Sequence, residues 1–142
     1  MSDELIRLGW VFLTARKYGT PLFYSRPHGS TRQNYWGDNE IGKVGNDEFK
    51  HPVVRAVNEF RHRNVAEPEN IIYSANGKQI IVERGSKAAV VINLDEQAAQ
   101  VEIPVTIGNG KYRDAVTRQR FQVKKGVLKA TLEPMSAYIL SK

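Results

Sequence analysis

Hydrophobic positions crowd the first stretch of the chain and then change their period. Leu5, Ile6, Leu8, Trp10, Val11, Phe12, Leu13 and Ala15 follow Ser2-Asp3-Glu4. Ser2 suits an N-cap, and the two acids suit the positive end of a helix. The apolar positions fall on more than one stripe, so this helix is expected to be buried over much of its circumference, ending at Tyr18-Gly19-Thr20. Pro21-Leu22-Phe23-Tyr24 is apolar throughout, the pattern of a strand covered on both faces, as in the middle of a parallel sheet. From Arg26 to about Asn46 there is only turn chemistry: His28-Gly29-Ser30, Trp36-Gly37-Asp38-Asn39, Val44-Gly45-Asn46. A loop of that length is unusual in a small domain and is often functional. His51-Pro52 then opens a second helix, with Val53, Val54, Ala56, Val57 and Phe60 on one stripe.

Beyond Glu67-Pro68-Glu69-Asn70 the pattern becomes strand-like. Ile71–Tyr73 and Gln79–Val82 flank Asn76-Gly77, a strong hairpin signal. Ala88–Ile92, Gln100–Val105, Gly110–Asp114, Arg120–Val123, Val127–Leu132 and Ala137–Leu140 follow, separated by turn residues. Strands at that spacing indicate an antiparallel sandwich or open barrel. One doubly apolar strand and two helices cannot cover each other, so residues 1–66 read as the end of something larger.

The 142 residues are 41% hydrophobic and 25% charged, without cysteine, and the mean hydropathy is −0.46. That is a globular composition, and no apolar run approaches the ~20 residues of a spanning helix, so no membrane partner is expected. Disulfides and thiolate chemistry are excluded. No basic, apolar leader follows Met1, so this chain is read as lacking a signal peptide. The net charge is +6. Residues 1–66 carry 10 Lys/Arg and 7 Asp/Glu, and residues 67–142 carry 11 and 8, +3 each. That even division argues against a concentrated phosphate-binding face, and nucleic acid is not expected as a partner.

Candidate chemistry is sparse. Asp38, Glu40, Asp47 and Glu48 read as loop-surface and helix-start carboxylates rather than the fixed acid pair of a glycoside hydrolase. His28, His51 and His62 have no metal-ligand spacing, Ser25 lacks the nucleophile elbow, and Gly108-Asn109-Gly110 reads as a hairpin turn. No catalytic residue and no metal ligand is assigned. The informative cluster is aromatic: Tyr35 and Trp36 lie in the long loop near Arg32, Gln33, Asn34 and Asp38, a combination that can stack on sugar rings and bond their hydroxyls, although the favoured alternative is that Trp36 pins the loop onto the barrel.

These residues resemble the C-terminal part of a bacterial α-amylase. The similarity is carried by Ser2-Asp3-Glu4-Leu5-Ile6-Arg7-Leu8-Gly9-Trp10, Thr20-Pro21-Leu22-Phe23-Tyr24-Ser25-Arg26-Pro27, Gly45-Asn46-Asp47-Glu48-Phe49, Ala56-Val57-Asn58-x-Phe60, Ala66-Glu67-Pro68-Glu69-Asn70 and Glu83-Arg84-Gly85-Ser86-Lys87-Ala88-Ala89-Val90. The resemblance implies an α+β chain: the last helix-strand-helix of a (β/α)8 barrel over 1–66, then an antiparallel Greek-key β-sandwich domain over 67–142. Residues 3–17 would be the seventh barrel helix, 20–25 the eighth strand and 51–63 the eighth helix. That would turn Ser25, Arg26 and the loop with Tyr35 and Trp36 toward the substrate cleft of the complete enzyme, which makes Arg26, Tyr35 and Trp36 the candidate substrate-binding residues. It further implies a secreted parent enzyme that hydrolyses internal α-1,4-glucosidic bonds of starch with retention. The family's catalytic acids and calcium ligands would precede Met1. This chain alone is therefore expected to be inactive and to hold no cofactor, with calcium expected only in the complete parent. Its expected partner is an α-glucan met through the complete enzyme, with self-association possible through the exposed barrel segment. The alternative is a non-catalytic carbohydrate-binding or structural β module, with Tyr73, Tyr112, Phe121 and Tyr138 as platforms or core.

Overall fold

Ser2 opens the first helix, its hydroxyl accepting from the Leu5 amide at 3.3 Å, in a computed structural model that describes residues 2–142. Helix α1 runs Asp3–Ala15 and α2 runs Pro52–Arg63, with the His51 ring accepting from the Val53 amide at the start of α2. A 3₁₀ turn, Glu48–Lys50, precedes α2. Eight strands follow: β1 Glu69–Tyr73, β2 Gln79–Arg84, β3 Ala88–Asn93, β4 Ala99–Pro104, β5 Gly110–Asp114, β6 Arg120–Lys124, β7 Val127–Leu132 and β8 Ser136–Ser141.

The strands form one antiparallel sheet in the order β1-β2-β3-β8-β5-β6-β7-β4. Chain length dictates its curl. In a flat sheet β3 and β4 would stand five spacings apart, about 24 Å at ~4.8 Å each. The link from Asn93 to Ala99 can stretch only about 21 Å. The sheet therefore rolls up, and its outer edges β1 and β4 border a single groove. Inside the roll lies a core of Ile81, Val91, Ile103, Tyr112, Phe121, Leu128, Tyr138 and Leu140, in which the rings of Phe121 and Tyr138 lie 5.1 Å apart.

A second core forms on the outside of β2, β3 and β8, where Val82, Val90, Ile92 and Ile139 meet Leu8, Val11 and Ala15 of α1 and Val57 and Phe60 of α2. These central strands are covered on both faces, which is why Ala88–Ile92 and Ala137–Leu140 are apolar without alternation. By contrast β4, β5 and β6 alternate strictly between buried and exposed residues.

Two expectations for the first segment are corrected. Helix α1 is buried along one stripe only, Leu8, Val11, Thr14 and Ala15, while Leu5 and Leu13 face outward. It ends at Ala15 with Arg16 in an extended conformation, so Gly19 (φ 82°) shapes the loop beyond and not the cap. Among the described residues Pro21–Tyr24 forms no strand, and no strand pairs with it. Only Phe23 turns inward, its ring 4.8 Å from Trp10 and 6.5 Å from Phe49. The helix-strand-helix piece is thus present in part, as two helices with an unpaired apolar segment between them.

Buried polar groups stitch the layers together. Arg84, 1% exposed at the end of β2, donates to the carbonyls of Ala15 (3.2 Å), Asn64 (2.5 Å) and Glu67 (3.3 Å), capping both helices at once. Burial pulls its pKa below the ordinary guanidinium value. Glu83, also buried, accepts from Asn70, from the Thr106 hydroxyl and from the amides of Thr106 and Ile107. Asp114 accepts from the Ile139 amide at 2.7 Å and from Thr117 at 2.6 and 2.7 Å. Groups so fully bonded are structural, and none is left free to act on a ligand.

Candidate functional site

The long loop is a closed Ω-shaped excursion whose neck is fastened twice. Ser25 Oγ donates to the Asn46 carbonyl at 2.6 Å, and the Asn46 amide donates to the Arg26 carbonyl at 2.8 Å. Inside the loop, Thr31 Oγ1 accepts from the amides of Gln33 and Asn34, and the Asn34 side chain accepts from the Gly37 amide. The Asp38 amide donates to the His28 carbonyl at 2.8 Å, laying the two arms side by side. At that crossing Gly37 has φ 51°, and a Cβ there would stand 2.2 Å from the His28 carbonyl oxygen. Only glycine fits.

This fold-back brings the three sequence-predicted residues together. Arg26, Tyr35 and Trp36 border one open cavity of about 250 Å³, completed by Tyr24, Pro27, Ser30 and Thr31. Tyr35 and Trp36 are 73% and 71% exposed, so neither ring pins the loop onto the sheet. Arg26 is steadied at the cavity floor by donating to the Ser30 carbonyl at 3.1 Å, with Asp3 at 3.9 Å. A second cavity of about 310 Å³ lies beside it, lined by Tyr24, Ser25, His28, Asp38, Asn39 and Lys43. Tyr24 borders both, and sequence reasoning did not single it out. The run Leu22-Phe23-Tyr24 is apolar throughout and gave no signal for it; only the structure turns Phe23 inward and leaves Leu22 and Tyr24 exposed.

The carboxylates do not assemble into a catalytic pair. Glu40 and Asp47 form exposed ion pairs with Lys43 and Lys50. Glu48 grips Arg7 of α1 with two bonds of 2.8 and 2.9 Å, and the Arg7 guanidinium holds its carboxyl below the usual range. His51 is spent on the α2 cap, its pKa lowered by burial and by the neighbouring Arg7 charge. Among the described residues no three His, Cys, Asp or Glu side chains lie where they could share a metal ion, and no helix is long and apolar enough to cross a membrane. Of the four aromatics considered as sugar platforms, Tyr112, Phe121 and Tyr138 fill the inner core, while Tyr73 is exposed beside the groove between β1 and β4.

The family model of the α-amylase C-terminal all-β domain matches residues 72–142, which is half of the chain. The chain belongs to this family. It is also 33% identical over 148 aligned positions to an α-amylase of Butyrivibrio fibrisolvens, and 31% identical over 112 to one of Clostridium acetobutylicum. These alignments take in 99% and 79% of the chain but only 15% and 13% of the relatives. The α-amylase I of Eisenia fetida, solved with maltohexaose, superposes with a TM-score of 0.67 at 12% identity, covering 98% of this chain and 35% of that one. The α-amylase of Geobacillus thermoleovorans, solved with acarbose, gives 0.64 at 11% identity over 96% and 32%. At such identities the structures establish the fold alone, and they do so for the helices and the sheet together. The chain thus corresponds to a C-terminal portion of the α-amylases, as its sequence motifs suggested.

Proposed function

We propose that this chain serves an α-amylase whose chemistry is carried by barrel strands outside these 142 residues. The parent would be a secreted enzyme cleaving internal α-1,4-glucosidic bonds of starch, with calcium held elsewhere. Residues 1–66 would be the end of its barrel and residues 67–142 a separate β domain. The observation that supports this reading is Pro21–Tyr24. It is an apolar segment with no paired strand among the described residues, its Phe23 ring packed on Trp10 while Leu22 and Tyr24 are 86% and 74% exposed. A barrel strand stripped of its neighbours has these features. The cavity bordered by Arg26, Tyr35 and Trp36 begins where this segment ends, and in barrel enzymes the chemistry lies at that end of the strands. The rings would stack on glucose units and Arg26 would bond their hydroxyls. Of the loop carboxylates, Glu40, Asp47 and Glu48 are held in ion pairs with Lys43, Lys50 and Arg7, so bond cleavage is left to acids of the parent enzyme.

The test combines an assay with a titration. The chain should release no reducing sugar from soluble starch. Maltoheptaose should change its tryptophan fluorescence, and Trp36→Ala, which leaves Trp10 in place, should abolish that response. Turnover by the isolated chain, or a response unaltered in the variant, would remove this reading.

A further inference from the structure

The sheet concentrates charge that the division of the sequence into halves conceals. Residues 110–132 carry seven Lys/Arg and a single acid, Asp114, a net +6 that equals the charge of the whole chain. The remaining residues carry 14 cations and 14 acids. Strand alternation turns Tyr112, Asp114, Phe121, Val123 and Leu128 inward and sends Lys111, Arg113, Arg120, Lys124 and Lys129 outward, all exposed. Arg118 and Lys125 extend the patch in the adjoining turns. Asp114 faces the other way and is consumed by its four bonds. Among the described residues the only ion pair on this face is Lys129 with Glu102, at 2.6 Å.

The registers arrange the cations in rows. Lys111, Gln122, Lys129 and Glu102 lie side by side across β5, β6, β7 and β4. Arg113 stands directly opposite Arg120. Like charges placed opposite each other destabilise a sheet, so the isolated fold gains nothing from this pair. Arg113 and Arg120 are one strand spacing apart and Lys111 and Arg113 two residues apart along β5, about 5–7 Å, while Lys111 and Lys129 flank Gln122 at two spacings, about 10 Å. The helices cover the other half of the sheet, so they do not screen this face.

We propose that the outer face of β5, β6 and β7 is a docking surface for an acidic polysaccharide. Charge complementarity requires an anionic partner, and the neutral groups on the face choose its kind. Gln122 and Thr131 interleave with the cations and present amide and hydroxyl groups that match sugar hydroxyls. No aromatic ring lies on the face, since Tyr112 and Phe121 point inward, so nothing stacks on bases as single-stranded nucleic-acid surfaces require. The face is a plain sheet surface with no helix to enter a groove of duplex DNA. A chain that alternates carboxylates with hydroxyls meets this pattern of cations and amides best. The site is separate from the loop cavity and does not depend on starch binding.

Fluorescein-labelled polygalacturonate titrated with the full chain tests the proposal, with a neutral glucan and a DNA duplex of similar length as competitors. Binding should weaken steeply with salt as counterions are released. The variant K111Q/R113Q/R120Q/K129Q should bind roughly ten-fold or more weakly with a shallower salt dependence. The charge-matched control R55Q/R63Q/K78Q/K87Q should bind as the parent chain does. R113Q/R120Q should melt no lower than the parent, which separates lost binding from lost folding. Equal weakening in both quadruple variants would overturn the proposal, as would duplex DNA or the neutral glucan competing as well as unlabelled polygalacturonate.

Discussion

Replacing Arg84 by methionine keeps the length and apolar stem of the side chain but removes the one group that ties the sheet to both helix ends. Three of the carbonyls it serves differ in what happens next. That of Ala15 is sealed from solvent, because the residue is fully buried, and its lost charge-assisted bond costs about 1.5–3 kcal/mol. Those of Asn64 and Glu67 lie nearer the surface, where water can replace the guanidinium, so each adds at most about 0.5–1 kcal/mol. Loss of the cation from the C-terminal end of α1 adds about 0.3–1 kcal/mol. Against these stands the relief of burying a charge that has no carboxylate within ion-pair distance among the described residues. The balance is a destabilisation of about 2–3 kcal/mol, which for a domain of this size lowers the melting temperature by roughly 8–12 °C. Thermal unfolding followed by circular dichroism measures it. Arg84→Lys, which keeps a charge but not the fork, should fall between. A methionine variant melting within about 2 °C of the parent chain would refute the view that this network holds the helices to the sheet.

Two other outcomes are expected. Arg7 lowers the pKa of Glu48, while for Glu69 burial pushes upward but is outweighed by bonds from Arg16 and the Lys17 amide, so both fold with depressed values. Their contribution is present above the ordinary carboxylate range and is lost as pH falls through the folded values. Acid should therefore loosen the α1 layer first, seen as a change in Trp10 fluorescence in Trp36→Phe before the strand signal is lost; coincident loss would contradict it. Gly37→Ala should open the loop, because its Cβ would collide with the His28 carbonyl, raising protease sensitivity between Arg26 and Asn46 while the melting temperature moves by less than ~3 °C.

The strands were legible because their signals are local. Turn residues and alternation located β5 and β7 to the residue, and the Asn76-Gly77 pair marked the hairpin between β1 and β2. The pairing order was hidden, since nothing near Ala137–Leu140 announces that β8 inserts between β3 and β5. Pro21–Tyr24 and Ala88–Ile92 illustrate the limit of composition. Both are apolar runs, yet only the second has a helix layer on one side and a core on the other. In α1 the crowded apolar positions promised burial all round, yet only one stripe is fully buried, with Trp10 and Phe12 half-buried at its margins and Leu5 and Leu13 exposed. Arg26, Tyr35 and Trp36 were found from residue chemistry, and the fold-back at Gly37 that gathers them depends on a backbone crossing no spacing rule contains. The basic face escaped notice because strand alternation, not sequence density, brings its cations to one side.

The place of β8 also governs when the sheet can come together. It is the sole bridge between the three strands β1–β3 and the four-stranded group of β4 to β7, so neither group has its central neighbour until Ser136–Ser141 has left the ribosome. During synthesis the exposed sides of β3 and β5 would wait as open edges, prone to join another chain. Removing those six residues would leave two unlinked half-sheets in place of one shortened sheet.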